Sequence, residues 1–171
     1  MEFFDVIKNR YSFRSYNTRI VEKQKINKII DAVNTAPSAG NLQAYEVYIV
    51  RSEEKKKALS KAAFNQTFLI EAPICLVFCA NSARSRRRYG TRGETLYSIQ
   101  DATIAATFAM LAIVDLGLSS VWVGAFDEEE VASVIGSTTH RPIAILPVGY
   151  AVEKPQSRIR RANKDVFHES D

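Results

Sequence analysis

The longest periodic segment of this chain constrains its fold more than any other sequence feature. It runs from Thr95 or Leu96 to Leu116, about 30 Å if wholly helical at 1.5 Å per residue, and Gly117 is well suited to end it. Alanine recurs along the segment at positions 102, 105, 106, 109 and 112. Because small side chains let a second helix approach closely, we expect this helix at the centre of the domain or of a dimer interface.

Composition and charge describe one ordinary globular domain. The chain has 171 residues, of which 46% are hydrophobic and 25% are charged, and its formal net charge is +4. We therefore expect a single domain over residues 1–171, with a core that needs no disulfide. The charge favours anionic ligands, but it is well short of a nucleic-acid-binding arm, so we expect no nucleic-acid partner.

The sequence predicts neither a targeting segment nor a membrane span. Residues 1–5 lack the basic start and the apolar stretch of a signal peptide, which favours a cytoplasmic protein. The weakly polar run 102–114 is flanked by Asp101 and Asp115. Since a spanning helix needs about 20 apolar residues, this run indicates a buried helix and no membrane partner.

Two cysteines, Cys75 and Cys79, lie inside the continuous apolar run 74–80, which predicts a central strand. At 3.3 Å per residue they would be about 13 Å apart on one face of that strand, too far for a disulfide. Two cysteines also provide no Cys/His zinc set. We therefore expect buried thiols in a reducing compartment, and no metal site.

The remaining pattern predicts a mixed α and β architecture. Helices are predicted over residues 3–8, 53–63 and 128–135, and an apolar stripe with helical spacing predicts another over 26–33. Strands are predicted over residues 46–51, 74–80, 120–124 and 143–150. Residues 82–94 contain five arginines and two glycines and are predicted to form a basic loop. The order of elements leaves open whether the sheet is parallel or antiparallel.

Missing motifs argue against several common enzyme classes. The chain has no GxGxxG after a strand, no phosphate-binding GxxxxGK[S/T], no HExxH and no GxSxG. Dinucleotide-fold dehydrogenases, P-loop NTPases, zinc proteases and common serine hydrolases are therefore disfavoured. His140 and His168 lie outside any carboxylate-rich motif, and we interpret both as surface or end-of-element residues. No side chain is assigned as a catalytic acid or base.

Arginines near both chain ends suggest a phosphate site. An extended backbone over residues 10–14 would place Arg10, Ser12 and Arg14 on one face and two aromatic side chains on the other. Two guanidiniums and a hydroxyl suit a phosphate, which accepts bidentate charge-assisted hydrogen bonds. The same spacing returns at Arg158 and Arg160. A solvated basic strand and a solvated tail are the alternatives.

The segment 37–43, Pro-Ser-Ala-Gly-Asn-Leu-Gln, is rich in small residues and amides. Such a loop can approach a flat ligand closely and form hydrogen bonds to it. An ordinary helix-to-strand turn is the alternative.

Six motifs, in this order, resemble the nitroreductase family of FMN-dependent oxidoreductases over almost the whole chain. They are RxSxR at 10–14, PSAxNxQ at 37–43, the Gln-Asp pair at 100–101, LGL and WVGAF within 116–126, LPVGY at 146–150 and the arginine-rich tail at 158–161. The resemblance implies an α+β nitroreductase-like fold, with a central mixed or antiparallel sheet flanked by helices. It also implies an intertwined homodimer with FMN at the subunit interface.

The resemblance further implies a set of cofactor-binding residues. The phosphate and ribityl chain of FMN would be held by Arg10, Ser12, Arg14, Arg158 and Arg160. The flavin ring would be lined from the partner chain by Pro37, Ser38, Ala39 and Asn41. Asn65 would bond the polar edge of the ring, and Gly124 and Ala125 would place backbone groups beside its reactive side.

The chain departs from the family pattern at three places. Tyr11 stands where an arginine is common, Ala44-Tyr45 where Pro-Trp is common, and Ala162 where a proline often follows the tail arginines. Because Tyr45 can still stack on a ring, we expect flavin binding to be retained.

The implied activity is ping-pong hydride transfer from NADH or NADPH, through FMN, to an electron-poor small molecule such as a nitroaromatic, a quinone or a flavin. One hypothesis is that the arginines at 84, 86, 87 and 88 help to attract the phosphates of the nicotinamide dinucleotide, because clustered positive charge raises the local concentration of anions. The alternative is a solvated loop without this role. Two other readings of the family resemblance are a flavin-binding redox store or regulatory protein without turnover, and a reductive dehalogenase-like or flavin-fragmenting enzyme.

Overall fold

A four-stranded sheet forms the framework of the computed structural model, which describes residues 1–156 and 159–170. Its strands are β1 (Tyr45–Val50), β2 (Ile74–Ala80), β3 (Ser119–Ser120) and β4 (Arg141–Gly149). The spatial order is β1-β2-β4-β3, and all three pairings are antiparallel. One parallel bridge, from Ser12 to Ser120, lies beside β3. The expected mixed or antiparallel sheet is therefore confirmed.

Helices cover both faces of this sheet. In the described residues the α-helices are α1 (Phe3–Asn9), α2 (Lys23–Asn34), α3 (Glu53–Ala62), α4 (Phe68–Glu71), α5 (Ser82–Arg92), α6 (Ser98–Asp115) and α7 (Glu128–Ile135). Short 3₁₀ turns occupy Ala39–Asn41 and Asn163–Asp165, and a π-helical turn occupies Gly93–Tyr97. Helices α2 and α6 pack on one face of the sheet, and α3, α4 and α7 pack on the other.

The apolar run of β2 is continuous because both of its faces are covered. Ile74, Leu76 and Phe78 belong to the core under α2 and α6, whereas Cys75 and Cys79 belong to the core under α3 and α7. The predicted central strand is confirmed to the residue. Both thiols are free and buried, as expected, and burial raises the pKa of each to about 12.

Helix α6 lies at the centre of the domain, as its small side chains predict. Ala102, Ala105, Ala106 and Ala109 are wholly buried. The helix ends at Asp115, and Gly117, two residues later, has a φ of 69°, the left-handed conformation expected of a glycine that follows a helix. The stretch 82–115 has the length and composition of a membrane-spanning helix. However, half of its most apolar 18-residue segment is buried inside the protein.

The predicted basic loop is wrong, because most of residues 82–94 form helix α5. The Asn81 side chain accepts a hydrogen bond from the Arg84 backbone N–H at 3.1 Å and thereby caps the helix. At Gly90, with φ 58° and ψ −144°, the helix is kinked. Gly93 then lies so close to the first half of α5 that a Cβ there would be 2.6 Å from the Ser85 carbonyl oxygen. Small residues make this contact, so no apolar stripe marks the helix.

The predicted strand 120–124 is only partly confirmed. Pairing is limited to Ser119–Ser120 and to an isolated bridge between Val123 and Ile145. The two sets of hydrogen bonds are separated by Val121 and Trp122, which do not pair with β4. The other predicted elements begin and end within a few residues of the observed ones.

Candidate functional site

The terminal arginines meet in one open cavity of about 630 Å³, which contains Arg10, Ser12, Arg14 and Arg160 in its wall. The backbone at residues 12–13 is extended, because the Phe13 N–H donates to the Ser120 carbonyl at 3.1 Å. Arg14 and Ser12 are exposed and Arg10 is half-buried. The structure therefore brings four of the five residues predicted to hold the phosphate to one cavity. Arg158, the fifth predicted member, lies outside the described residues.

The opposite face of this segment anchors it. Tyr11 and Phe13 are half-buried, and their rings pack edge to face with centroids 6.3 Å apart. Tyr16 is buried and donates its hydroxyl proton to the Phe13 carbonyl at 2.6 Å. The alternation predicted from the sequence therefore holds the polar side chains toward the cavity.

The cavity is strongly cationic. Among the residues that the structure describes, its wall contains five cationic side chains and one acidic side chain: Lys8, Arg10, Arg14, Lys154, Arg160 and Glu153. The Glu153 carboxylate accepts a hydrogen bond from the Arg14 backbone N–H. The lining residues therefore sum to four positive charges, which suits a doubly charged phosphate ester.

A second group of predicted residues lies on two turns joined by one glutamine. Phe64 and Asn65 adopt left-handed φ values of 56° and 63°, and Asn65 is exposed. The Gln66 side-chain amide donates to the carbonyls of Ala63 at 2.9 Å and Ala125 at 3.1 Å. Gln66 thereby ties the Asn65 turn to the exposed pair Gly124 and Ala125, a function that its sequence context does not indicate.

The connection between the cationic cavity and these turns is short. Ser12 pairs with Ser120, and Gly124 follows four residues later. Four residues span at most about 14 Å of chain. One extended ligand can therefore contact both groups.

The third group, the loop 37–43, is held by a buried carboxylate. Asp101 is only 2% exposed, and its two oxygens accept the backbone N–H groups of Ala39 at 2.9 Å and Ala44 at 3.2 Å. Inside the loop the Gln43 N–H donates to the Ser38 hydroxyl at 2.9 Å. The sequence motif contained Asp101 but did not indicate this role, because its bonding partners lie about 60 positions away.

This loop does not contribute to the cationic cavity of its own chain. Ala39 instead lines a different open cavity of about 520 Å³, together with Tyr97, Gln100 and Asp101. Pro37 and Asn41 are exposed, and Ser38 and Ala39 are half-buried. The structure therefore separates the third group from the cationic cavity within one chain.

His140 is half-buried and directly precedes β4, which agrees with its interpretation as an end-of-element residue. Its Nδ1 lies 2.7 Å from the Tyr48 hydroxyl oxygen. His140 also lines a shallow cavity of about 270 Å³ beside α7. None of the predicted cofactor-binding residues within 1–156 and 159–170 lines this cavity.

Comparison with known proteins agrees with the motif order. The model of the nitroreductase family matches residues 7–68 and 59–150. An FMN reductase (NAD(P)H) from Bacillus subtilis is 30% identical over 172 residues, which cover 92% of this chain and 69% of the relative. An NADH dehydrogenase from Thermus thermophilus is 28% identical, covering 85% of this chain and 84% of the relative. The solved structure of B. megaterium NfrA2 has a TM-score of 0.92 at 27% identity, covering 100% of this chain and 75% of that one.

Proposed function

This chain belongs to the nitroreductase family, and from that premise we propose that it is an NAD(P)H-dependent FMN oxidoreductase that acts as a homodimer. The observation that carries the proposal is the cationic cavity around Arg10, Ser12 and Arg14, whose Ser12 pairs with Ser120 at the start of the segment that the Gln66 side chain ties to the Asn65 turn. The position of these groups along one path matches a ligand with a phosphate at one end and a flat polar ring at the other.

The donor set of this chain fits FMN. The guanidiniums of Arg10, Arg14 and Arg160 and the hydroxyl of Ser12 hold the phosphate, and the excess positive charge of the cavity outweighs Glu153. Asn65 bonds the ring edge, and the exposed backbone at Gly124 and Ala125 faces its reactive side. When bound, FMN supplies two-electron transfer between NAD(P)H and an acceptor.

A second copy of the chain completes the site. The family resemblance assigns the loop 37–43 to the flavin ring of the partner, and this proposal is supported by the position of the loop away from the cationic cavity of its own chain. Exposed apolar residues on α1 support a dimer: Phe3 and Phe4 are 61% and 80% exposed, and Ile7 is 46% exposed. Covering such a patch with a second chain removes apolar area from water.

The acceptor is an electron-poor small molecule, such as a nitroaromatic, a quinone or a flavin. The Bacillus relative is named for FMN and NAD(P)H, and the Thermus relative is named for NADH. These names differ in the electron donor, so the choice between NADH and NADPH must be argued from the residues of this chain.

Purification provides the first test. We expect a yellow protein that releases FMN on denaturation and whose colour bleaches when NADH or NADPH is added without oxygen. A colourless protein that FMN cannot reconstitute contradicts the proposal. A yellow protein that neither nucleotide bleaches indicates a redox store without turnover.

The phosphate contact can be tested separately. Arg10→Ala and Arg14→Ala should each weaken FMN binding about tenfold, as expected for one lost charge-assisted contact, while riboflavin, which has no phosphate, should bind as before. Arg51→Ala is the matched control, because Arg51 is exposed and lies outside the cavity. Equal losses for FMN and riboflavin would mean that the arginines do not contact the phosphate.

A further inference from the structure

Helix α5 concentrates positive charge beside the loop 37–43. Residues 82–94 contain five arginines and one acid, Glu94. Arg86 is neutralised by Glu94 at 2.7 Å, and Arg92 donates to the Tyr97 hydroxyl at 3.0 Å and stacks on its ring. Within the part of the chain that the structure describes, Arg84, Arg87 and Arg88 have no carboxylate partner, and two of them, Arg84 and Arg88, lie against the loop.

Both of these arginines contact the loop. The Arg84 Nε donates to the Leu42 carbonyl. Arg88 packs against Gly40 so closely that a Cβ there would lie 3.1 Å from its Nη1. The Arg88 guanidinium also lies over the Tyr89 ring, 5.5 Å from its centre. Two exposed guanidiniums are thus held at one edge of the loop that lines the flavin in the proposed dimer.

Their spacing on the helix is unfavourable without a ligand. Arg84 and Arg88 are four residues apart, so they occupy the same helix face, and like charges at this spacing repel. An anion bound between them would remove this repulsion. A phosphomonoester is well matched, because it carries nearly two negative charges and accepts forked hydrogen bonds from two arginines.

We propose that Arg84 and Arg88 bind the 2′-phosphate of NADPH and make the enzyme prefer NADPH to NADH. The inference rests on the proposed function, in which this loop lines the flavin ring of the partner and NAD(P)H must approach that ring to reduce it. The 2′-phosphate is the chemical group that distinguishes NADPH from NADH, so a site for it acts on donor choice. A free FMN acceptor also carries a phosphomonoester, and the experiment must separate the two sources.

The test compares Arg84→Ala, Arg88→Ala and Arg86→Ala in the FMN-loaded enzyme at low salt. We expect the wild type to have the higher kcat/KM with NADPH. The ratio of kcat/KM for NADPH to that for NADH should fall about tenfold in Arg84→Ala and in Arg88→Ala, mainly through the KM of NADPH. Arg86→Ala is the matched control, because it removes the same charge from the same helix and should preserve the ratio.

A binding measurement that needs no turnover completes the test. Calorimetry on the FMN-loaded wild type should show tighter binding of 2′,5′-ADP than of 5′-AMP. In Arg84→Ala and in Arg88→Ala this difference in affinity should disappear. The inference is overturned if the two nucleotides bind equally, if Arg86→Ala lowers the ratio as much as Arg88→Ala, or if the variants raise only the KM of an FMN acceptor. Failure of the proposed function is distinct, because the protein would then bind no FMN or oxidise neither donor.

Discussion

The Asp101 carboxylate offers the sharpest test of how the loop 37–43 is positioned. Each oxygen accepts one backbone N–H, from Ala39 at 2.9 Å and from Ala44 at 3.2 Å, and the carboxylate is almost wholly buried. Asp101→Asn preserves the shape but replaces one acceptor oxygen with an NH₂ group, which cannot accept. One hydrogen bond to a charged group is lost, which costs about 1.5–3 kcal/mol of the free energy of unfolding.

That loss has a measurable size. For a chain of this length, 1 kcal/mol shifts Tm by about 2–4 °C, so Asp101→Asn should lower Tm by about 3–12 °C. Asp101→Ala should lower it further, because both N–H groups then lose their acceptor. Because the loop serves the flavin of the partner in the proposed dimer, both variants should also weaken FMN binding.

The assay is thermal unfolding followed by circular dichroism, at fixed concentrations of protein and FMN. The matched control is Asp115→Asn, which removes an exposed carboxylate near the other end of α6. We expect the control to melt close to the wild type. If Asp101→Asn melts within about 1 °C of Asp115→Asn, the two hydrogen bonds do not hold the loop and the reasoning is refuted.

Three further predictions concern the fold around the site. Gly93→Ala should destabilise the protein by about 1–3 kcal/mol in urea unfolding, although alanine normally favours a helix, because the new Cβ would meet the Ser85 carbonyl oxygen at 2.6 Å. Lys56→Met should cost about 2–5 kcal/mol in the same assay, because the buried ammonium donates to two backbone carbonyls, each at 2.9 Å, that would lose their donor. The Glu22 pKa is lowered from 4.5 to about 2, chiefly by a hydrogen bond from the Tyr150 hydroxyl. This contribution to stability is therefore complete above pH 4.5 and is lost as the pH falls toward 2. Glu22→Gln should flatten the decline of Tm over that interval.

Controls for these predictions lie on the same elements. Thr91→Ala, on the exposed side of the Gly90 turn, and Lys57→Met, on the exposed face of α3, should leave stability nearly unchanged. If Gly93→Ala unfolds at the same urea concentration as Thr91→Ala, the space between residue 93 and the Ser85 carbonyl oxygen accommodates a Cβ and the prediction is wrong. A Glu22→Gln protein with an unaltered acid profile would show that the Tyr150 contact does not set the acid sensitivity.

Local patterns predicted most of the framework. The continuous apolar run of β2 indicates a strand that is covered on both faces. The apolar stripe of α2 and the alanines of α6 indicate one buried helix face each, because these residues recur with the helical period. The cluster of Arg10, Ser12 and Arg14 was also predictable, because an extended backbone alone places these side chains on one face.

Features that depend on distant partners or on small residues were not predictable. Asp101 contacts the backbone of a loop about 60 positions earlier, and backbone partners have no sequence signature. Helix α5 was missed because its inward contacts are made by Ser85 and Gly93, which carry no apolar period. Gln66 was missed for the first reason, since its acceptor on Ala125 belongs to a separate turn.

The division of one chain into a cationic cavity and a separate loop has a genetic consequence. In the proposed homodimer each flavin site takes its arginines from one chain and its loop from the other. A chain with Arg10→Ala and a chain with Asp101→Ala would each form impaired homodimers, but their mixed dimer would contain one site with both defects and one with none. Random reassociation of equal amounts should thus restore about one quarter of the sites, so two defective alleles would complement each other.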